Sequence, residues 1–168
     1  MCIRDSVNYI DFSNLVPLES FRVPDPADES SFALLLSEAE EKVAQLKENV
    51  KVSKVYVGFF YADIIAVFLV EFQCSAESIG MYTWVVVGDI PPALIACEKN
   101  PNAASALYSY LKDMGAWADA AMRRESVAGL VNVNVPATPE NATRLQTRIS
   151  MLEEYILCNF RDEIISDD

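Results

Sequence analysis

Dense runs of apolar residues between positions 54 and 98 dominate the hydrophobic pattern of the chain. They are rich in Val, Ile, Phe, Tyr and Trp, which suit a pleated sheet better than a helix. The runs are VYVGFFY (55–61), DIIAVFLVEF (63–72), MYTWVVVGD (81–89) and PALIAC (92–97). This pattern predicts four consecutive antiparallel strands. The continuous apolar stretches also predict that the central strands are covered on both faces.

Helical periodicity surrounds this region. Residues 26–49 carry apolar side chains at steps of three or four behind an Asp25 cap, which predicts a surface helix with one buried side. A second helix is predicted to start at Asn100–Pro101, with asparagine as the cap and proline at the first helical position. A third is predicted to open at Thr138–Pro139 and to run to about residue 164.

These elements predict one α+β domain in the order α-ββββ-α-α, with a four-stranded antiparallel meander packed against three helices. Residues 126–137 alternate apolar and polar positions and are a candidate fifth strand at the sheet edge. The domain is predicted to span 26–165, after an extended segment at 7–25 and before an acidic tail at 166–168. Residues 1–6, MCIRDS, resemble the translation of a sequencing adapter and are expected to lie outside the natural protein.

A membrane span over residues 55–72 is the alternative to two strands. Asp63 would fall in the middle of that span, where a charge costs about 2.5–3.5 kcal/mol. Glu71 then leaves an uninterrupted apolar run far shorter than the ~20 residues that a span needs. The pattern therefore favours the core of a soluble protein, with no membrane partner.

Charge changes the picture of possible partners. The 168-residue chain has 25 acidic and 13 basic residues, a net charge of −12, and no histidine. The negative charge disfavours binding to nucleic-acid phosphates and suits a basic protein partner, although solubility alone also explains it. Without histidine the commonest general base and zinc ligand are missing. The sequence therefore predicts no cofactor and no metal site, and it does not favour an enzyme.

Cys74, Cys97 and Cys158 lie in apolar runs and form no C-x-x-C pair. Such spacing is typical of buried free thiols in a reducing compartment, so we expect a cytoplasmic protein.

The run WVVVGDIPPALI, a proline-started helix after it and NVNVPATPE opening the next helix resemble a group of small bacterial proteins for which no activity is established. The resemblance covers residues 54–160. It implies the α+β order given above and carries over no functional residue.

Four residues are candidate binding residues: Tyr82, Trp84, Asp89 and Asp63. Tyr82 and Trp84 share one face of the third strand by period-two alternation, and both core packing and an exposed contact surface would use them. Asp63 and Asp89 are candidates for paired carboxylates, although aspartate at a strand end commonly bonds to nearby backbone.

Four arginines are a weaker candidate. Arg144 and Arg148 lie one turn apart on the third predicted helix and would form a basic patch with Arg123 and Arg124. Glu140, one turn before Arg144, is expected to offset its charge.

Three functions fit these observations. The first is a small acidic cytoplasmic module, of immunity or adaptor type, that binds a basic protein. The second is a small-molecule-binding protein or a histidine-free enzyme, with a pocket between sheet and helices near Tyr82, Trp84 and Asp89. The third is a structural or oligomer-forming subunit.

Overall fold

A five-stranded antiparallel sheet, whose strands lie side by side in chain order, forms the centre of the structure. The computed structural model describes residues 10–46, 50–74 and 81–164. The strands are β1 (Val16–Pro17), β2 (Val50–Tyr61), β3 (Ile65–Cys74), β4 (Met81–Gly88) and β5 (Ala93–Ile95). The α+β class and the antiparallel meander predicted from the apolar runs are confirmed.

Three α-helices cover the sheet in the described part of the chain, together with short 3-10 segments. The helices are α1 (Glu29–Ala44), α2 (Ala103–Met122) and α3 (Pro139–Tyr155). The Gln146 amide donates to the Asp119 carboxylate at 3.2 Å, and the Thr143 hydroxyl lies 4.0 Å from the Met122 sulfur. Between these two contacts the residue number rises along α3 while it falls along α2, so the two helices are antiparallel neighbours.

The sheet is buried on both faces, and this confirms the expectation for its central strands. On one face, three buried side chains of α1 pack against the sheet: Leu35, Ala39 and Val43. On the other face, α2 and α3 pack against a second set of strand residues: Phe59, Ile65, Val67, Leu69, Trp84 and Val86. Because neighbouring residues of a strand point to opposite faces, every residue from 65 to 70 is buried.

The fifth strand is not in the connector at 126–137, so that prediction was wrong. The chain turns at Arg124 (φ +58°), just before the connector, and again at Gly129 (φ +83°) within it, and no strand forms at 126–137. The extra strand is β1, at the opposite end of the chain, where Val16 pairs with Val57 of β2.

The start of the second helix was also predicted wrongly. The cap of α2 is Asn102, whose side chain accepts a hydrogen bond from the Ser105 N–H at 2.8 Å. Asn100 is buried, and its amide donates to the Ala96 carbonyl at 2.9 Å. Since Asn100 is engaged in this loop, the helix begins after the next asparagine.

The ends of the other two helices differ from their predictions as well. The α-helical part of α1 ends at Ala44, with a turn at 45–46, and residues 47–49 lie outside the described residues. Helix α3 opens at the predicted Thr138 cap but ends at Tyr155, where a 3-10 segment, Leu157–Glu163, continues the chain. Outside the described residues lie the predicted 1–6 segment, the 75–80 loop and the 166–168 tail.

Candidate functional site

A fixed corner lies where the chain leaves β4. Gly88 has φ +149°, and the Asp89 N–H then donates to the Ile64 carbonyl at 3.0 Å. The two prolines that follow have no N–H for a ladder hydrogen bond, so strand pairing stops there. The buried Tyr110 hydroxyl of α2 donates to the Pro91 carbonyl at 2.7 Å. Burial raises the pKa of Tyr110, which keeps this phenol protonated and able to donate.

The first turns of α3 face this corner. Thr138 caps the helix by accepting a hydrogen bond from the Asn141 N–H at 3.2 Å, and Pro139 occupies the first helical position. Residues three or four apart lie on one side of a helix, so Asn141, Arg144 and Arg148 share one side. This side of α3 presents one amide and two guanidinium groups.

The connector between α2 and α3 closes the third side. The Val135 N–H donates to the Val133 carbonyl at 2.8 Å, which bends the connector sharply. The Asn141 side chain donates to the Pro136 carbonyl at 2.8 Å and ties the connector to α3. The segment that was predicted as an edge strand therefore forms a wall.

These three sides form an open pocket of about 460 Å³, which we call the corner pocket. Its apolar lining residues are Ile90, Pro91, Pro92, Trp117, Val133, Val135 and Leu145. Its polar lining residues are Asp89, Asn132, Asn134, Asn141, Arg144 and Arg148. The volume falls within the range of about 300–1,000 Å³ that is typical of small-molecule sites. Apolar surface with a few polar groups is also typical of such sites.

The charges of the corner pocket are unequal. Arg148 forms an ion pair with Asp89, with its Nε 3.1 Å from one carboxylate oxygen and its Nη2 3.5 Å from the other. Arg144 forms no ion pair within the described residues. The expected contact with Glu140 is therefore not made. One positive charge of the site therefore has no carboxylate beside it.

Of the four candidate binding residues, Asp89 is the one that lines the corner pocket. Tyr82 and Trp84 do share one face of β4, since both pack into the core between sheet, α2 and α3. That face continues toward the pocket, but neither ring lines it. As binding residues, Tyr82, Trp84 and Asp63 stay predictions.

Trp84 is a core residue with no exposed surface. Its indole N–H donates to the Asn100 carbonyl at 2.8 Å. Asn100 in turn accepts a hydrogen bond from the Ser109 hydroxyl at 2.7 Å. Trp84 therefore joins β4 to the loop before α2, and of the two alternatives for it, core packing is correct.

Tyr82 is half-buried and belongs to an aromatic group at the other end of β4. Its ring lies 5.9 Å from the ring of Phe12, which also contacts Tyr56 at 5.3 Å. Its hydroxyl donates to a Glu71 carboxylate oxygen at 3.4 Å. Burial raises the pKa of Tyr82, and the negative charge of Glu71 raises it further.

Asp63 lies in the turn between β2 and β3, at φ +61°. Its N–H donates to the Ser31 hydroxyl of α1 at 2.8 Å. Asp63 and Asp89 lie at the same end of the sheet, because Ile65 pairs with Gly88. Their partners nevertheless differ, since Asp63 contacts α1 and Asp89 contacts α3 on the opposite face.

Several pocket residues were not predicted as a site. Arg144 and Arg148 were recognised as a pair, but the pocket includes neither Arg123 nor Arg124. The asparagines at 132 and 134 received no role, because the alternation of NVNV was interpreted as a strand. The two prolines that follow this segment, at 136 and 139, were the available signal against a paired strand.

A second cavity, of about 270 Å³, lies where the N-terminal segment meets the C-terminal 3-10 segment. Its polar groups are largely engaged with one another. The Asn14 amide donates to the Glu163 carboxylate at 2.9 Å, and the Asn102 amide donates to the Glu163 carbonyl at 2.7 Å. These bonds hold the C-terminal segment against the start of α2.

The described residues include no group of three or more Cys, Asp or Glu side chains placed to hold a metal ion. Cys97 is a buried free thiol, and burial raises its pKa to about 12, so it stays protonated at neutral pH. Cys158 is also free and is partly exposed, and its thiol donates to the Glu154 carbonyl at 2.7 Å.

Comparison of the chain with protein-family models, with curated proteins and with solved structures found no significant match in any of the three. The resemblance to small bacterial proteins therefore stays a prediction. Within residues 10–46, 50–74 and 81–164, no helix is both long and apolar enough to cross a bilayer. The two apolar runs at 55–72 are strands of the sheet.

Proposed function

We propose that the chain is a small-molecule-binding protein whose ligand occupies the corner pocket. The observation that carries this proposal is the convergence of buried apolar side chains and unlike polar groups on one space of about 460 Å³. Trp117, Leu145 and Val133 are core residues that form the floor of the pocket and are at most 8% exposed. Ile90, Pro92 and Val135, which are less buried, supply most of the apolar surface that a ligand would cover.

The walls of the corner pocket are fixed without a ligand. Tyr110 holds the corner through Pro91, and Asn141 holds the connector through Pro136. The ion pair between Asp89 and Arg148 links the corner to α3 across 59 residues of chain. A site whose walls are already ordered loses less conformational entropy on binding, which favours affinity for a small ligand.

Blocking the corner pocket is expected to abolish ligand binding without unfolding the chain. Val135 lines the pocket yet is 47% exposed, so a larger side chain there has room without displacing the core. We expect a fragment screen by ligand-observed NMR to find compounds that bind the unmodified chain. Val135→Trp and Asn134→Trp should each abolish this binding. Leu130→Trp is the matched control, since Leu130 is an exposed residue of the same connector outside the pocket.

The control variant should retain every binder. Two results would contradict the proposal: a screen that finds no binder, or binders that bind both pocket variants as well as they bind Leu130→Trp. Circular dichroism of all three variants checks that each chain is folded.

We propose a basic protein partner as the second candidate function. It is supported by the net charge of −12 and by exposed carboxylates such as Glu40 and Glu41 on the outer side of α1. Surfaces of opposite charge raise association rates and lose this advantage as salt screens them. This candidate does not require the corner pocket.

Charge reversal on α1 tests the second candidate. We expect the tagged chain to retain a basic protein from bacterial lysate at low salt and to release it as salt is added. Glu40→Lys combined with Glu41→Lys should weaken retention, whereas Glu153→Lys combined with Glu154→Lys on α3 serves as the charge-matched control. Retention that neither salt nor the α1 variant weakens would count against an acidic docking surface.

A further inference from the structure

The polar groups of the corner pocket indicate the charge of its ligand. Arg148 is already paired with Asp89, so these two residues together add no net charge. Arg144 adds one positive charge, and within the described residues no carboxylate lies within ion-pair distance of it. The remaining polar lining residues are the neutral amides of Asn132, Asn134 and Asn141. The site therefore has a net charge of about +1 in a chain of net charge −12.

The geometry of arginine favours a particular kind of anion. Its guanidinium presents a planar fork of donors that matches the two oxygens of a carboxylate. A doubly charged group such as a phosphate would leave the pocket with an excess negative charge, which the acidic chain would repel. One carboxylate balances Arg144, and the neighbouring amides are suited to its remaining lone pairs.

The apolar lining indicates the rest of the ligand. Pro91, Pro92 and Val135 present apolar surface to the pocket, over a floor of core residues that includes Trp117 and Leu145. Water against such surfaces gains little by hydrogen bonding, and an apolar group that replaces it is favoured. A small polar anion would leave this surface wet, whereas a carboxylate with a hydrocarbon or aromatic body would cover it.

We infer that the ligand of the corner pocket is an organic monocarboxylate with an apolar body, and that Arg144 binds its carboxylate. This inference rests on the proposed function. Arg148 is a positioning residue in this arrangement, since its guanidinium holds Asp89 and thereby the corner. Asp89, the one candidate from the sequence that lines the pocket, sets the net charge of the site.

Matched compounds test the inference. Each series keeps one apolar body and varies the polar head group, which is an anionic acid, a neutral amide or a cationic amine. The first series is phenylacetate, phenylacetamide and phenethylamine, and the others are the corresponding compounds of indole-3-acetate and of hexanoate. We expect NMR titration to rank acid above amide and amide above amine. Arg144→Gln should weaken the acids at least about tenfold and the amides much less, because only the acids lose a charge-assisted hydrogen-bonded pair. Arg123→Gln removes one exposed arginine outside the pocket and should change neither.

Asp89→Asn should change the affinity for acids relative to amides, which a merely structural effect would not do. It removes the ion pair that holds the corner, which weakens acids and amides alike, but it also releases Arg148 and raises the charge of the site to about +2. The ratio of acid affinity to amide affinity should therefore rise several-fold, and a dicarboxylate such as homophthalate should gain most relative to the amides. Acids that bind no better than amides, or that are insensitive to Arg144→Gln, overturn the inference. If the amides bind and Val135→Trp abolishes their binding, the proposed small-molecule function survives. If Val135→Trp abolishes the binding of no compound in any series, the proposed function and the carboxylate inference both fail.

Discussion

Replacing Trp84 by alanine is expected to lower the free energy of unfolding by about 3–5 kcal/mol. The side chain has no exposed surface, so alanine leaves a cavity between β4 and α2 that the surrounding core fills only in part. The change also removes the donor that lies 2.8 Å from the Asn100 carbonyl. Urea denaturation followed by circular dichroism measures the loss.

Tyr82→Ala is the matched comparison, because Tyr82 lies two residues earlier on the same face of β4. Its ring is half-buried and its hydroxyl reaches a partly exposed carboxylate, so we expect a loss of less than about 2 kcal/mol. Equal losses at the two positions would show that Trp84 does not anchor this part of the core.

Gly88→Ala is expected to destabilise the chain by about 3 kcal/mol or more. A Cβ at this position would lie 2.2 Å from the Ile64 carbonyl oxygen and 2.8 Å from the Ile65 Cα. Both are backbone atoms of the neighbouring strand, and they cannot rotate away as a side chain does. The residue also has φ +149°, which side-chain-bearing residues rarely adopt. Thermal and urea denaturation measure the change.

Gly115→Ala is the control for that experiment. Gly115 lies within α2, and a Cβ there would meet no atom within 4 Å. Alanine is favoured over glycine in a helix, so this variant should gain about 0.5–1 kcal/mol. A loss at position 88 no larger than the change at position 115 would mean that β3 shifts to admit the methyl group.

The sheet and the two-faced core could be predicted because they follow from local composition. Strands β2, β3 and β4 contain most of the three long apolar runs, although β2 begins earlier than its run, at Val50. Burial on both faces followed from the same feature, since a half-exposed strand would alternate. These properties depend on neighbouring residues alone.

The helix cap and the fifth strand could not be predicted, because each depends on a distant partner. Asn100 and Asn102 are equally good caps in isolation, and the indole of Trp84 decides between them by engaging the Asn100 carbonyl. The pairing of Val16 with Val57 joins two-residue β1 to β2 across a whole helix. A run that short leaves no periodic signal.

The candidate site was predictable only in part for the same reason. Asp89 stood out because it ends an apolar run before two prolines. Arg144 and Arg148 stood out by helical spacing, but their position opposite Asp89 follows from the packing of α3 against α2. The bend of the connector rests on two local hydrogen bonds, from the Val135 N–H to the Val133 carbonyl and from the Asn141 amide to the Pro136 carbonyl. Only its placement against the corner and α3 depends on distant residues.

The agreement between strand order and chain order has a consequence for the loop-closure entropy of folding. The pairings from β2 to β5 join segments that are adjacent in the chain, so each closes a short loop at small entropic cost. Strand β1 differs, because helix α1 lies in the chain between Val16 and its partner Val57. Closing that longer loop gains only a two-residue ladder. We therefore expect the N-terminal edge to be the first part of the sheet to open under native conditions.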